Sequence, residues 1–219
     1  MGLVLDKHYL YNSNLSLFKS GDFQNITMEN KPTYIIVHHL GGTTSNPNFD
    51  SSNLTFEQVN LDHKERWYFK SQLGFFCGYH YFLDKKGIIT QARNENEEAA
   101  HCKQMNLNSI GIGIAGNFDI SFPTKEQEES LNNLIKGIKE RRNIPNNNIV
   151  PHRHFWNTDC YGLKLNDFWA YNLINQEELK TKLSLLEKLL QLYVKLLNLL
   201  KQKGLGRIDD RDDGGIVII

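Results

Sequence analysis

The segment that most constrains this chain is residues 150–162, which place an imidazole and a thiol eight residues apart, at His152 and Cys160. The segment mixes Pro, Asn, Asp and Gly and is too irregular to form one helix. Imidazole nitrogen and thiolate sulfur are both ligands that suit zinc. Two ligands do not make a site, so we expect a third from another part of the chain.

The best candidate for the third ligand lies far upstream, where an apolar run at residues 34–37 ends in His38 and His39. A short apolar run of this kind predicts a buried strand that delivers a side chain at its end. The run is apolar on both faces, so periodicity does not choose between the two histidines. A loop rich in Gly and Thr follows at residues 40–47, and ligands favour the carboxyl edge of an open sheet.

These two segments and the stretch between them contain a set of short motifs in a fixed order across about residues 30–170. They are Val37-His38, Gly78-Tyr79-His80, Ala100-His101, Asn106-Leu107-Asn108-Ser109-Ile110-Gly111-Ile112, and His152-Arg153 followed by Thr158-Asp159-Cys160. In type and order they resemble the zinc-dependent N-acetylmuramoyl-L-alanine amidases of the phage-lysozyme and peptidoglycan-recognition-protein type. One such motif is a weak signal, whereas the ordered set is a strong one.

The resemblance implies a Zn²⁺ ion bound by His38, His152 and Cys160. For His39 we expect the simpler role of a hydrogen-bonded core histidine. Three protein ligands leave a fourth position open, as a catalytic zinc requires. The implied reaction is attack of water on the amide between the lactyl group of N-acetylmuramic acid and L-alanine. Metal binding needs neutral imidazoles and a thiolate, so we expect it to fail at acid pH.

The resemblance also implies roles for four residues that are not ligands. Tyr79 matches a hairpin tyrosine whose hydroxyl points at the metal, and Thr158 matches a position that contacts the oxyanion or the water. An ordinary packed aromatic is the alternative for Tyr79. His101 is expected to line the substrate groove or to assist proton transfer. Tyr161 departs from the pattern, because Pro is usual there; it either loosens the loop or offers a surface on which a sugar stacks.

Three functions remain open at this point, and all of them take peptidoglycan or its fragments as partner. The first, which we favour, is an endolysin-like amidase that cleaves the cell wall. The second is a non-catalytic peptidoglycan-binding receptor on the same fold; such relatives typically lose the ligand cysteine, whereas Cys160 is kept. The third is an intracellular amidase that recycles soluble muropeptides, but those relatives favour Asp as the third ligand.

For the fold class we expect α/β, with a single domain at residues 31–175 that has a central mixed sheet flanked by helices. The strand that ends at His38 should be central, and the hairpin of residues 78–92 should lie beside it. Residues 1–30 are expected to form an irregular N-terminal arm, with a short strand near Tyr9–Tyr11.

Two capping boxes, Thr55-x-x-Gln58 and Thr124-x-x-Gln127, predict helices that run to about residues 73 and 142. The apolar side chains of Val59, Trp67 and Phe69 are expected on the buried side of the first helix. Phe168, Trp169 and Leu173 predict one last short helix in the domain.

The composition changes at residues 176–203, where leucines recur at alternating spacings of four and three with a second leucine stripe beside them. This pattern predicts a leucine-rich amphipathic helix of the coiled-coil type, which either forms a homo-oligomer or folds back onto the domain. Glu187, Lys188 and Lys195 on its polar side argue against a membrane span. The tail at residues 204–219 is expected to be disordered.

The formal net charge is +0, with 25 Lys+Arg and 25 Asp+Glu, so no basic patch indicates nucleic acid as a partner. An odd number of cysteines disfavours a disulfide framework. Plain burial is the simpler expectation for Cys77 and Cys102, although a disulfide between them stays open. The first residues hold too short an apolar run for a signal peptide. We therefore expect a protein that stays cytoplasmic until it is released to the cell wall, or that leaves by a non-classical route.

Overall fold

A computed structural model of the protein describes residues 29–203. The irregular arm that we expected at residues 1–30, with its short strand near Tyr9, therefore lies almost wholly outside the described residues. The tail at residues 204–219, for which we expected disorder, lies outside them as well.

The described strands form one mixed sheet in the order β3-β2-β4-β1-β5. They are β1 (Tyr34–His39), β2 (Tyr81–Leu83), β3 (Ile89–Gln91), β4 (Ser109–Ile114) and β5 (Ile149–Pro151). β1 is parallel to β4 and β5, and β2 is parallel to β4 and antiparallel to β3. The predicted α/β fold with a mixed sheet is confirmed, and β1 is an interior strand as predicted.

The predicted neighbour of β1 was wrong, because the β2–β3 hairpin lies beside β4 and not beside β1. β1 and β4 each contain six residues and pair along their whole length, whereas β2 offers only three residues to a partner. Pairing the two long strands satisfies more backbone groups, which leaves the hairpin at the outer edge of β4.

Three α-helices accompany the sheet: α1 (Phe56–Trp67), α2 (Lys125–Arg142) and α3 (Trp169–Gln202). Both predicted capping boxes form at the starts of α1 and α2. α2 ends where predicted, but α1 ends well before residue 73, because Tyr68 adopts the left-handed conformation at φ 49°. Val59 is buried as expected, whereas Trp67, in the last turn of α1, is 46% exposed.

Side chains alternate across the sheet, and this gives its two faces different partners. On one face the main core contains Ile35, Val37, Ile110, Ile112 and Ile114 from the sheet, Leu131, Ile135 and Ile138 from α2, and Ala170, Leu173 and Ile174 from α3. On the other face Phe82 of β2 packs with Val59 of α1. Helices therefore cover both faces, and the main core lies under α2 and the first turns of α3.

α3 runs without a break from the core to Gln202, so the short helix expected near Phe168 and the leucine-rich helix are one element. Beyond its first turns the leucines from Leu179 to Leu200 are between 36% and 65% exposed. The leucine-rich part therefore does not fold back onto the described residues. Among residues 29–203 the structure contains no helix that combines the length and the hydropathy needed to cross a bilayer.

Ile135 tests the buried face of α2, because its side chain is fully shielded in the main core. We expect Ile135→Ala to lower the free energy of unfolding by about 2–5 kcal/mol, since the truncation removes buried apolar groups and leaves a cavity. Asn133→Ala, on the exposed face of the same helix, should change it by less than about 0.5 kcal/mol. Urea denaturation measures both, and equal losses in the two variants would contradict this packing.

Candidate functional site

Two glycines of β4 leave the sheet face beside the end of β1 free of side chains. Gly113 is the register partner of His38 in the β1–β4 ladder. A methyl group on Gly113 would lie 2.4 Å from the Tyr79 ring, and one on Gly111 would lie 2.4 Å from the His101 ring. Glycine is needed here so that both rings can approach the strand. Their centroids then lie 5.2 Å (Tyr79) and 5.0 Å (His101) from the centroid of His38.

Three potential metal-binding side chains converge at the carboxyl end of β1. One ligand atom each of His38, His152 and Cys160 lies within 4.8 Å of the others. Cys160 Sγ is 3.6 Å from His38 Nδ1, and the ring centroids of His38 and His152 are 4.4 Å apart. The structure thus brings together the three residues to which the sequence pointed.

Sheet pairing brings the two histidines together across more than a hundred residues of chain. β5 runs parallel to β1 with Pro151 beside Val37. The next residue on each side is a histidine, so His38 and His152 emerge next to each other at the same edge. His152 then begins a 3-10 turn, His152–His154, which directs the chain into the loop that carries Cys160.

Arg153 holds the loop that carries Cys160. Its backbone N–H donates to the Cys160 carbonyl at 2.9 Å. Its guanidinium donates to the carbonyls of Asp159 at 3.0 Å and Gly162 at 2.9 Å, and it pairs with the carboxylate of Asp167. Since these bonds lie on both sides of Cys160, they fix the loop that points the thiol at His38. Sequence reasoning noted Arg153 only as part of a motif, because carbonyl partners leave no signature in a sequence.

Burial controls the charge of the three side chains. The pKa of His38 lies well below its ordinary 6.5, because burial disfavours the imidazolium and the nearby imidazoles of His101 and His152 add to the effect. Burial also lowers the pKa of His152. The pKa of the Cys160 thiol is raised to about 12, mainly by burial. The site therefore presents two neutral imidazoles and a thiol that becomes a thiolate only when a cation offsets its charge.

The donors and their spacing fit a zinc ion. Zinc takes imidazole nitrogen at about 2.0 Å and cysteine sulfur at about 2.3 Å, usually in tetrahedral geometry. Two such donors are then separated by about 3.6 Å, which matches the distance of 3.6 Å between His38 Nδ1 and Cys160 Sγ. Both imidazoles are neutral, as ligation requires.

His39 takes no part in this cluster. Strand alternation turns it to the opposite face of the sheet, where its ring lies 5.8 Å from that of Phe118. Its Nδ1 accepts the backbone N–H of Phe118 at 2.9 Å, and the residue is buried. The expectation of a hydrogen-bonded core histidine is confirmed.

The cluster lines a cleft of about 780 Å³ that opens toward solvent. Tyr79, His101 and Thr158 also line it, as expected for residues that meet a substrate. The Thr158 hydroxyl oxygen accepts the Cys160 N–H at 3.3 Å, so this residue also supports the ligand loop.

Two tryptophans that the sequence analysis did not assign to the site, Trp67 and Trp156, add flat apolar walls to the cleft, and each is 46% exposed. The cleft thus combines polar groups at the cluster with aromatic surfaces suited to a sugar or a peptide.

The three cysteines are all buried free thiols. Cys77 and Cys102 are not joined by a disulfide, and the simpler expectation for them is confirmed. Cys160 is the one that points into the cluster.

Comparison with known proteins decides the family. Residues 28–162 match the N-acetylmuramoyl-L-alanine amidase family Amidase_2, over more than half of the chain. The chain belongs to this amidase family. The resemblance that the motifs indicated is thereby confirmed at the level of the family.

Individual members support the same placement. A peptidoglycan-recognition protein of Drosophila melanogaster is 28% identical over 134 residues, which cover 60% of this chain and 69% of that protein. The endolysin of Escherichia phage T7 is 30% identical over 91 residues, or 39% of this chain and 56% of that protein. Among solved structures, the endolysin amidase LysCS of Clostridium intestinale has a TM-score of 0.52 and 26% identity, covering 71% of this chain and 85% of its own.

Tyr161, which departs from the amidase pattern, does not form the sugar-stacking surface that we expected. It is 0% exposed, and its ring packs against Trp169 with centroids 5.3 Å apart. Its hydroxyl lies 3.0 Å from the carbonyl oxygens of Asn166 and Asp167. That prediction was wrong, because the start of α3 encloses the ring and the main chain satisfies the hydroxyl. Tyr161 therefore secures the ligand loop and does not loosen it.

Paired histidine variants test which residues bind a metal at this cluster. We expect the purified protein to contain one zinc and His38→Ala to lose most of it, because two donors hold zinc far more weakly than three. His39→Ala should keep its zinc but lose about 1–3 kcal/mol of stability, since the Phe118 N–H would lack its acceptor. Elemental analysis and urea denaturation measure the two effects. Zinc lost from His39→Ala and retained in His38→Ala would reverse the assignment.

Proposed function

We propose that this chain is a zinc-dependent N-acetylmuramoyl-L-alanine amidase that hydrolyses the bond between N-acetylmuramic acid and L-alanine in peptidoglycan. The observation that carries the proposal is the convergence of His38, His152 and Cys160 within 4.8 Å, at an open cleft, in a member of the amidase family. Zinc bound there would polarise the scissile carbonyl and lower the pKa of a water molecule toward about 7.

Tyr79 is suited to stabilise the oxyanion that forms when water attacks the amide. Burial raises the pKa of Tyr79 far above its ordinary value of 10, so its hydroxyl keeps a proton to donate. Gly113 lets the ring lie against β4, beside His38. Thr158 contributes a second hydroxyl in the lining of the cleft. Its oxygen is occupied by the Cys160 N–H, which leaves its proton available to an acceptor in the cleft.

A non-catalytic peptidoglycan receptor is the second candidate, and the recognition-protein relatives favour it. The intact set of three donors argues for catalysis, because a site that only binds needs no metal donors that converge in this way. The two candidates differ in outcome: the enzyme lowers the turbidity of purified cell walls and loses this activity to a chelator, whereas the receptor does neither. A third candidate, the recycling amidase, would cleave soluble muropeptides but not intact walls.

The identity of the product ends decides which bond is cut. Cleavage at the proposed amide releases new L-alanine amino termini and leaves the glycan strands unbroken. New reducing sugar ends would indicate cleavage of the glycan instead and would overturn the proposal. Release of the protein to the cell wall from the cytoplasm stays a prediction.

Tyr79→Phe tests the proposed oxyanion donor. It should lower turnover by about 10- to 1,000-fold, the range for loss of one oxyanion donor, while zinc content stays unchanged. Tyr81→Phe is a matched control, because the Tyr81 hydroxyl donates to Glu95 at 2.8 Å and does not line the cleft. Rates of wall lysis measure both variants. Full activity in Tyr79→Phe would remove this residue from the mechanism.

We also propose that the leucine-rich part of α3 pairs with the same segment of a second copy of this chain. Its alternating leucine spacing is that of a coiled-coil stripe, and these leucines are exposed in the single chain. In a parallel pair with this register, Lys182 would lie across from Glu187 of the second copy, which is an attractive arrangement.

A charge placed on the leucine stripe tests this pairing. Leu190→Asp should reduce the mass measured by light scattering to that of the monomer, because it buries a carboxylate between the helices. Ser184→Asp, on the outer side of the same helix, should keep the mass of the wild type. A monomeric wild type, or equal masses for the two variants, would contradict self-association.

A further inference from the structure

A chain of hydrogen bonds runs from His38 to the backbone of the loop before β4. His38 Nε2 lies 3.0 Å from His101 Nδ1. His101 Nε2 lies 3.3 Å from Ser109 Oγ. Ser109 Oγ in turn lies 2.6 Å from the carbonyl oxygen of Met105. Each link joins a different pair of atoms, so every nitrogen of the two rings except His38 Nδ1 is engaged in the chain.

The hydrogen bond from Ser109 to Met105 determines which atom donates and which accepts in the other two bonds. A carbonyl oxygen only accepts, so the Ser109 hydroxyl commits its proton to Met105, at the shortest distance in the chain. Ser109 Oγ is then left to accept, and His101 Nε2 must donate to it. A neutral imidazole with its proton on Nε2 has a lone pair on Nδ1. His101 Nδ1 therefore accepts the proton of His38 Nε2.

The outcome for His38 is a proton on Nε2 and a lone pair on Nδ1. This Nδ1 is the atom that lies 3.6 Å from Cys160 Sγ, on the side of the metal cluster. The chain of hydrogen bonds thus presents the bare nitrogen of His38 to the position where a metal ion would bind. The opposite tautomer would place an N–H there and would leave two lone pairs facing each other between His38 and His101.

His101 is held firmly enough to impose this choice. Its backbone N–H donates to Asn106 Oδ1 at 3.0 Å. Its ring lies against Gly111, where any side chain would displace it. The backbone and the ring of His101 are therefore both held in place in the metal-free protein.

We propose that His101 and Ser109 are positioning residues that hold His38 in the Nε2–H tautomer and thereby prepare Nδ1 as a metal donor. This inference rests on the proposed zinc site, but the tautomer itself is a property of the metal-free protein. Hydrogen-bond partners that orient a ligating histidine typically contribute about 10- to 100-fold in metal affinity. The acceptor here is another imidazole, whose second nitrogen is in turn oriented by a serine.

The tautomer is measured directly by ¹⁵N nuclear magnetic resonance of the histidine side chains in the metal-free protein. We expect the His38 ring to carry its proton on Nε2 in the wild type and to lose this preference in His101→Leu. His101→Asn should retain it, because the Asn Oδ1 atom stands close to the position of Nδ1 and accepts the same proton. A His38 proton on Nδ1 in the wild type would overturn the proposal, even if the protein binds zinc and lyses cell walls.

Zinc affinity, measured by competition with a chromophoric chelator, gives the second readout. We expect His101→Leu to weaken zinc binding by about 10- to 100-fold and His101→Asn to restore most of the loss. Ser109→Ala should weaken binding in the same direction but less. Ser121→Ala is its matched control, because Ser121 donates to the carbonyl four residues before it, just as Ser109 does, whereas only Ser109 is bonded to His101.

The two readouts separate the failure of this inference from that of the proposed function. Unchanged zinc affinity in His101→Leu and Ser109→Ala, with zinc bound normally by the wild type, would overturn the positioning role alone. A wild type that binds no zinc, with His38 in the Nε2–H form, would leave the hydrogen-bond chain in place and overturn the proposed enzyme. Urea denaturation of each variant confirms that the compared proteins are folded.

Discussion

The site depends on one local constraint, the presence of glycine at positions 111 and 113 on one face of β4. Gly111 and Gly113 let the rings of His101 and Tyr79 lie directly against the strand. β1 is the register partner of β4, so His38 emerges beside these two rings and contacts both of them. A larger residue at either glycine would move one of the rings away from His38. The glycines therefore set the geometry of a site to which they contribute no functional group.

Burial then determines what chemistry this geometry favours. The imidazoles stay neutral and the thiol stays protonated, so the donors are ready for a cation without being charged beforehand. A divalent ion bound there would turn the thiol into a thiolate and satisfy all three groups at once. Arg153 keeps the loop in place through backbone carbonyls on both sides of Cys160. Burial thus controls the charge of the three side chains, whereas Arg153 controls the position of the loop that carries Cys160.

The contrast between His38 and His39 shows how strongly the surroundings decide a residue's role. The two are adjacent in one strand, yet one faces the cleft and the other packs on Phe118 in the core. His39 uses its Nδ1 to accept a backbone N–H, whereas the Nδ1 of His38 faces a thiol. The same side chain therefore serves the fold at one position and is available for chemistry at the next.

The sequence by itself determined the elements and residues whose signals are local or ordered along the chain. Capping boxes located α1 and α2, an apolar run located β1, and the ordered motifs indicated the amidase family with His38, His152 and Cys160 as donors. Only the tertiary structure decided the place of β4 beside β1, the burial of Tyr161, the role of Arg153 and the hydrogen-bond chain behind His38. These features depend on contacts between residues far apart in the chain or on bonds to backbone carbonyls. Because every residue carries the same carbonyl group, such bonds leave no trace in the order of side chains.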